Sequence, residues 1–208
     1  MVKVSPIDAP CGAVITGIDL SSKLSDEAVV DIRQAWLQNH VLVFPKQVLN
    51  PADLARFTLS FGHFGDDPFF DPIEEHNHVA AIRRDAKEKT PLFAENWHTD
   101  WSFQVKPPIG TCLYGIKIPP VGGDTLFANM EMAYENLPTH IKEELDGAIA
   151  VHDFSVFRNQ MIKDGKTEEE IDEFNKKFPK PRHPVIRTHP NTGKKSIYVN
   201  IAFTEYIE

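Results

Sequence analysis

Asn96-Trp97-His98-Thr99-Asp100-Trp101-Ser102-Phe103 sets an imidazole and a carboxylate two residues apart. On an extended segment such residues share a face, so one ring nitrogen and one carboxylate oxygen can meet at a single ion. That is two ligands of a metal site. A second histidine from elsewhere would complete the two-histidine, one-carboxylate facial triad that holds non-heme Fe(II) and leaves positions open for other ligands. A histidine between two tryptophans also suits a hydrogen-bonded core, and the tripeptide alone leaves both readings standing.

The 208 residues around this stretch suit a single domain, residues 1–208, with a sizeable core. A hydrophobic fraction of 41% beside 25% charged residues is that of an ordinary folded protein, neither disordered nor membrane-embedded. The net charge of −8 argues against nucleic acid or an anionic membrane as a partner, because both select a basic surface. Cys11 and Cys112 are too few and too distant for a disulfide framework or a CxxC metal site, which fits a reducing, cytoplasmic location. Met1 to Leu20 has one lysine and no long apolar run, unlike a signal peptide. No run approaches the eighteen apolar residues that span a bilayer.

Local signals divide the chain into short strands and helices. Val14–Leu20 reads as a strand, and Ser25-Asp26-Glu27 as the cap and acidic first turn of a helix that Asn39 and His40 end. Val41–Phe44 reads as a buried strand stopped by Pro45, and Pro51 starts a second helix. Residues 62–71 form a loop rich in Gly, Pro, Asp and Phe. His76 and His78 also have ligand-pair spacing, but their polar setting favours a solvated strand entry; residues 83–89 form a charged surface turn. Ile109–Ile118 has the pattern of an apolar strand, followed by the Gly122-Gly123-Asp124-Thr125 turn and a further extended piece, Leu126–Ala128. Met130–Leu137 and Pro138–Leu145 read as helices, Ala148–Phe154 as a strand, and Lys166–Phe178 as a charged helix capped by Thr167. Pro181–Pro190 and Ser196–Asn200 read as strands joined by a turn at Asn191–Lys194. Many short strands with Gly/Pro turns and inserted helices predict a mainly β, jelly-roll-like double sheet.

Four motifs, Asn96–Asp100, Gly122–Thr125, His183-Pro184-Val185-Ile186-Arg187-Thr188-His189-Pro190 and Tyr198-Val199-Asn200, together resemble the TauD/TfdA family of Fe(II)- and 2-oxoglutarate-dependent dioxygenases, in the same order through most of the chain. The resemblance implies a double-stranded β-helix core with iron at its mouth. It implies His98 and Asp100 as iron ligands and Thr125 as hydrogen-bond donor to the distal carboxylate of 2-oxoglutarate. Trp101 and Phe203 match positions that wall the substrate pocket. The implied reaction consumes O2, converts 2-oxoglutarate to succinate and carbon dioxide, and hydroxylates a small organic substrate.

The family's second histidine ligand and its 2-oxoglutarate-pairing arginine lie downstream of the Tyr-Val-Asn strand, and this sequence ends before either. A C-terminally truncated domain is therefore expected, with two iron ligands of three, because His140, His152, His183 and His189 are poor substitutes. Open sheet edges should promote association into a homo-oligomer, and an association module without catalysis is the alternative to an oxidoreductase. Taurine-using members carry a histidine before proline where this chain has Asp67-Pro68. Phe70 replaces a tyrosine and Ala94 an asparagine. An aspartate facing a sulfonate repels it, which disfavours taurine and leaves a different small anion as the expected substrate.

Overall fold

The computed structural model describes residues 1–85, 87–89 and 94–208, so Ala86 of the charged run lies outside the described residues. The chain divides into two compact units, Met1–Glu88 with Ile109–Asn129, and Lys89–Pro108 with Met130–Glu208. Ten short strands and six helices occur among the described residues, in four small sheets. The two continuous sheets expected of a jelly roll are not formed among those residues. No helix there is long and apolar enough to cross a membrane.

In the first unit, strand β1 (Lys3–Pro6) pairs antiparallel with β2 (Ala13–Thr16), and β3 (Leu42–Val43) lies parallel to β2. Ala13 and Ile15 alternate into the interior and are fully buried. Helix α1 (Asp26–Asn39) begins as its sequence predicts: the Ser25 hydroxyl accepts the Ala28 N–H, and acidic residues occupy the first turn. Helix α2 (Pro51–Leu59) has a reciprocal box, in which Asn50 and Asp53 each accept the other's backbone N–H. Ile32 of α1 and Phe57 of α2 form one buried cluster with Leu20 from the segment before α1, and Leu42, Phe44 and Phe61 pack against it. The expected buried strand at 41–44 shrinks to two residues, and Val43 is half exposed because β3 is an edge with one neighbour. Strands β4 (Pro72–Ile73) and β5 (His76–Ala80) form a hairpin, where the His78 ring stacks on Phe64 at 4.1 Å. Cys11 and Cys112 are free thiols.

The expected strand at Ile109–Ile118 is absent among the described residues, as is that at Leu126–Ala128. Ile116 and Val121 are 89% and 87% exposed. An apolar sequence becomes a strand only beside another backbone that takes its N–H and C=O groups, and no strand among the described residues pairs with this segment. Local anchors hold it instead. Leu49 N–H donates to the Tyr114 hydroxyl at 3.1 Å, and Gly110 lies so close to the Trp36 ring that a Cβ would meet it at 2.5 Å.

The second unit contains α3 (Met130–Glu135), α4 (Thr139–Glu144), β6 (Ile149–His152), α5 (Ser155–Lys163), α6 (Glu168–Lys177), β7 (Arg182–Pro184), β8 (Ile186–Thr188), β9 (Lys195–Ile197) and β10 (Thr204–Ile207). Strand β6 is central in the antiparallel order β10-β6-β7, with His152 opposite Thr204 and Ala150 opposite His183. Strands β8 and β9 form the expected hairpin, and Thr167 caps α6 through a reciprocal box with Glu170. Helix α5 and strand β10 have no counterpart in the sequence expectations.

Phenylalanines fill the space beside this sheet. Phe103 is buried, its ring stacked on Phe154 at 3.9 Å and flanked by Phe178 and Phe203 at 5.9 and 5.0 Å. Burial of one such ring is worth about 1.5–3 kcal/mol. Next to it, Asp153 is buried against Arg158 at 2.5 Å and Lys180 at 3.3 Å, and Lys180 also reaches Glu205 at 2.6 Å. Burial pushes the Asp153 carboxyl up, but the Arg158 hydrogen bond and the two cations outweigh it and hold it below its ordinary value.

Candidate active site

His98 and Asp100 do not sit on a strand. The chain is irregular through His98 and then turns: Ser102 N–H donates to the Thr99 carbonyl at 3.2 Å and Gln104 N–H to the Trp101 carbonyl at 2.8 Å. Trp101 adopts φ +51°, a left-handed conformation rare for a bulky residue, and this reverses the chain. The expectation of an extended pair is thus corrected, yet the two side chains still converge. His98 Nε2 lies 3.0 Å from Asp100 Oδ1.

The other ring nitrogen explains the orientation. His98 Nδ1 lies 2.8 Å from the Asn96 carbonyl, which can only accept, so Nδ1 carries the proton. In the neutral ring Nε2 then offers a lone pair toward a carboxylate oxygen. Two electron-rich atoms that close repel unless a cation joins them or the ring is protonated. Two ligands each about 2.1 Å from one ion at a right angle lie about 3 Å apart, so the donor set fits a divalent metal. A backbone carbonyl on the remote nitrogen is also the usual way to fix a ligand histidine.

Phe203 stands edge-on to the His98 ring at 6.5 Å, and Trp101 is half buried, its indole N–H enclosed with no hydrogen-bond partner among the described residues. Four of the expected site residues, His98, Asp100, Trp101 and Phe203, therefore belong to one unit. Thr125, Phe70 and Asp67 belong to the first unit. Thr125 is exposed after Gly122 and Gly123, both at positive φ as a sharp turn requires. Phe70 is half buried near Phe69, and the Asp67 carboxylate accepts the Phe69 N–H at 2.8 Å.

No group of three His, Cys, Asp or Glu side chains able to hold a metal occurs among the described residues. His152 and His183 are buried and bonded within the protein, and His189 Nδ1 accepts the N–H groups of Asn191 and Thr192. From sequence alone, His152 and His183 are set aside as poor substitutes for the missing ligand and have no other role. In the fold both lie behind the ligand-bearing turn: His152 Nδ1 is 3.0 Å from the Ser102 hydroxyl, and His183 Nε2 is 3.0 and 3.1 Å from the Ser102 and Gln104 carbonyls. The sequence signals for them are the strand patterns of Ala148–Phe154 and Pro181–Pro190, which contain His152 and His183. Burial and the neighbouring His183 push His152 down to about 4, against a weaker upward pull from the Tyr198 backbone, and burial likewise lowers His183. Both rings are neutral near pH 7.

The family model for taurine catabolism dioxygenases, TauD/TfdA, matches residues 3–208. An alkylsulfatase of Acinetobacter baylyi is 32% identical over 201 residues, covering 94% of this chain and 62% of that protein. An alpha-ketoglutarate-dependent sulfonate dioxygenase of Saccharomyces cerevisiae is 29% identical, covering 99% of this chain and 51% of its own length. Among solved structures, a taurine dioxygenase from Burkholderia xenovorans superposes with a TM-score of 0.75 at 30% identity, over 99% of this chain and 65% of that one. The chain thus spans between about half and two thirds of the length of these relatives.

Proposed function

The chain belongs to the TauD/TfdA dioxygenase family, and from that membership we propose that it is part of an oxidoreductase that hydroxylates a small organic anion at a non-heme Fe(II) centre, with 2-oxoglutarate and O2 as co-substrates. The observation that carries the reading is the convergence of His98 Nε2 and Asp100 Oδ1, with Nδ1 tied to the Asn96 carbonyl. When bound, Fe(II) and 2-oxoglutarate supply the oxidising chemistry, in which 2-oxoglutarate loses carbon dioxide and becomes succinate.

The chain's own residues supply position and charge. His98 and Asp100 hold the ion with one neutral and one anionic ligand, which offsets half its charge. Phe203 and Trp101 present apolar walls beside His98 and limit water there. Thr125 is assigned to the distal carboxylate of 2-oxoglutarate as a hydroxyl donor, and Phe70 and Asp67 to the substrate side. Asp67 stands where taurine-using members carry a histidine, so the reading disfavours taurine as the substrate. The double-stranded β-helix core, which the four small sheets of the described residues do not complete, belongs to the same reading.

Anaerobic titration with Fe(II) in the presence of 2-oxoglutarate tests it through the weak visible charge-transfer absorption of the chelate. A stoichiometric band is expected, lost in His98→Ala and in Asp100→Ala, and needing more 2-oxoglutarate in Thr125→Ala. A band indifferent to the first two substitutions removes those residues from the centre. Absence of any band overturns the reading for this chain and leaves an association module as its role.

A further inference from the structure

We propose that His183 is a positioning residue for the turn that carries His98 and Asp100, its ring N–H holding the Ser102 and Gln104 carbonyls while His152 and Asn200 lock the Ser102 hydroxyl between them. The inference rests on the reading of His98 and Asp100 as metal ligands.

Hydrogen-bond accounting fixes the arrangement. The Asn200 side-chain carbonyl accepts the N–H groups of Ala202 and Phe203, so its amide nitrogen faces Ser102 and donates to the hydroxyl at 3.0 Å. The Ser102 proton must then go elsewhere, and His152 Nδ1, 3.0 Å away, is the acceptor. His152 therefore carries its proton on Nε2, which faces the Thr204 hydroxyl at 3.4 Å. His183 Nε2 meets two carbonyls, which can only accept, so it carries the proton and divides one N–H between them. Every polar atom of Ser102 is thereby accounted for in a fully buried setting.

Both bonds of His183 and the Nδ1 bond of His152 run to the turn, and only His152 Nε2 faces a group of its own sheet, Thr204. Strand β7 brings His183 opposite Ala150 of β6, and from there its ring reaches residues about eighty positions earlier in the chain. The two carbonyls it holds lie one and three residues after Trp101, whose left-handed backbone is strained and persists only where surrounding contacts over-determine it. Releasing the carbonyls lets Trp101 relax toward ordinary φ, and the direction of Asp100 relaxes with it. The device thus converts burial behind the turn into ligand geometry in front of it.

Two substitutions separate this role from simple packing. His183→Leu fills the volume without the donor, and His183→Gln returns an N–H near the position of Nε2. Mn(II) binding is read by the loss of the free-ion electron paramagnetic resonance signal, and amide hydrogen exchange is read at Ser102 and Gln104. His183→Leu is expected to weaken Mn(II) by roughly 10–100-fold, the usual effect of losing a group that supports a ligand, and to accelerate exchange at the two turn amides while those of α6 stay protected. His183→Gln should remain close to the parent in both. The proposal is overturned if the leucine variant matches the parent, if exchange rises equally in α6, or if glutamine rescues nothing. Should the leucine variant not fold, His183→Asn replaces it, its shorter amide stopping short of the carbonyls, with the same two readouts. If the parent chain binds no Mn(II), the ligand reading fails, and the exchange pattern alone upholds or overturns the positioning role.

Discussion

Ser102 and Thr125 both sit in segments assigned to cofactor binding, and the chain treats them in opposite ways. Ser102 is fully buried, its hydroxyl between two side chains and its carbonyl on a third. Thr125 is exposed in a stretch whose apolar neighbours Leu126 and Phe127 are exposed as well. The first segment owes its shape to a phenylalanine cluster below it and a polar frame behind it. The second owes its shape to two left-handed glycines and has no strand pairing among the described residues. The difference separates two ways of presenting a functional side chain: one over-determined by tertiary bonds, the other set by local turn chemistry alone.

The contrast breaks first at Phe103. Phe103→Ala is expected to cost about 3–5 kcal/mol of stability, because it opens a cavity under the turn against Phe154. Denaturant unfolding of the parent and the variant measures it, and a loss below about 1 kcal/mol would mean the cluster does not support the turn.

Acid should act next, and on the framed segment. An unfolded chain protonates His152 near 6.5, whereas the folded one holds it down to about 4. Between those values the unfolded state binds the extra proton, so stability falls as pH falls through the window, by about 3 kcal/mol in total. The lowered His183 adds a loss of the same sign. Asp153, also lowered, contributes only further down, below its ordinary value of 3.8. Unfolding midpoints from pH 7 to pH 4 should show the decline, reduced in His152→Asn, which does not titrate.

The smallest expected effect lies on the other side of the comparison. Thr125→Ala should change stability by less than about 0.5 kcal/mol, the usual range for a surface position free of special contacts. A loss comparable to that of the buried substitutions would show that Thr125 is held as firmly as Ser102.

What could be read from sequence follows the range of the interactions involved. Ser25, Asn50 and Thr167 cap helices through bonds to residues three positions on, and such bonds are local enough to leave a pattern. Helix α5 has Phe154 at its N-cap, which makes no side-chain capping bond, so nothing announced it. Ile109–Ile118 has a strand's composition, but a strand is a property of two backbones, and the second was not in the pattern. The pairing of His98 with Asp100 was legible from spacing, although the backbone that delivers it is a turn and not the extended segment assumed. The framing role of His152 and His183 was not legible, because their partners lie about fifty and eighty residues away.

The left-handed backbone at Trp101 also limits how this turn can vary. Glycine would relieve the backbone but discard the indole. Valine or isoleucine would keep some bulk, but their branched Cβ atoms fit that φ poorly, and asparagine tolerates the angle while offering a small polar group in place of an apolar wall. A library randomised at position 101 would therefore sample backbone geometry and side-chain shape at once. Phe203, which faces His98 from ordinary backbone, offers the separable handle.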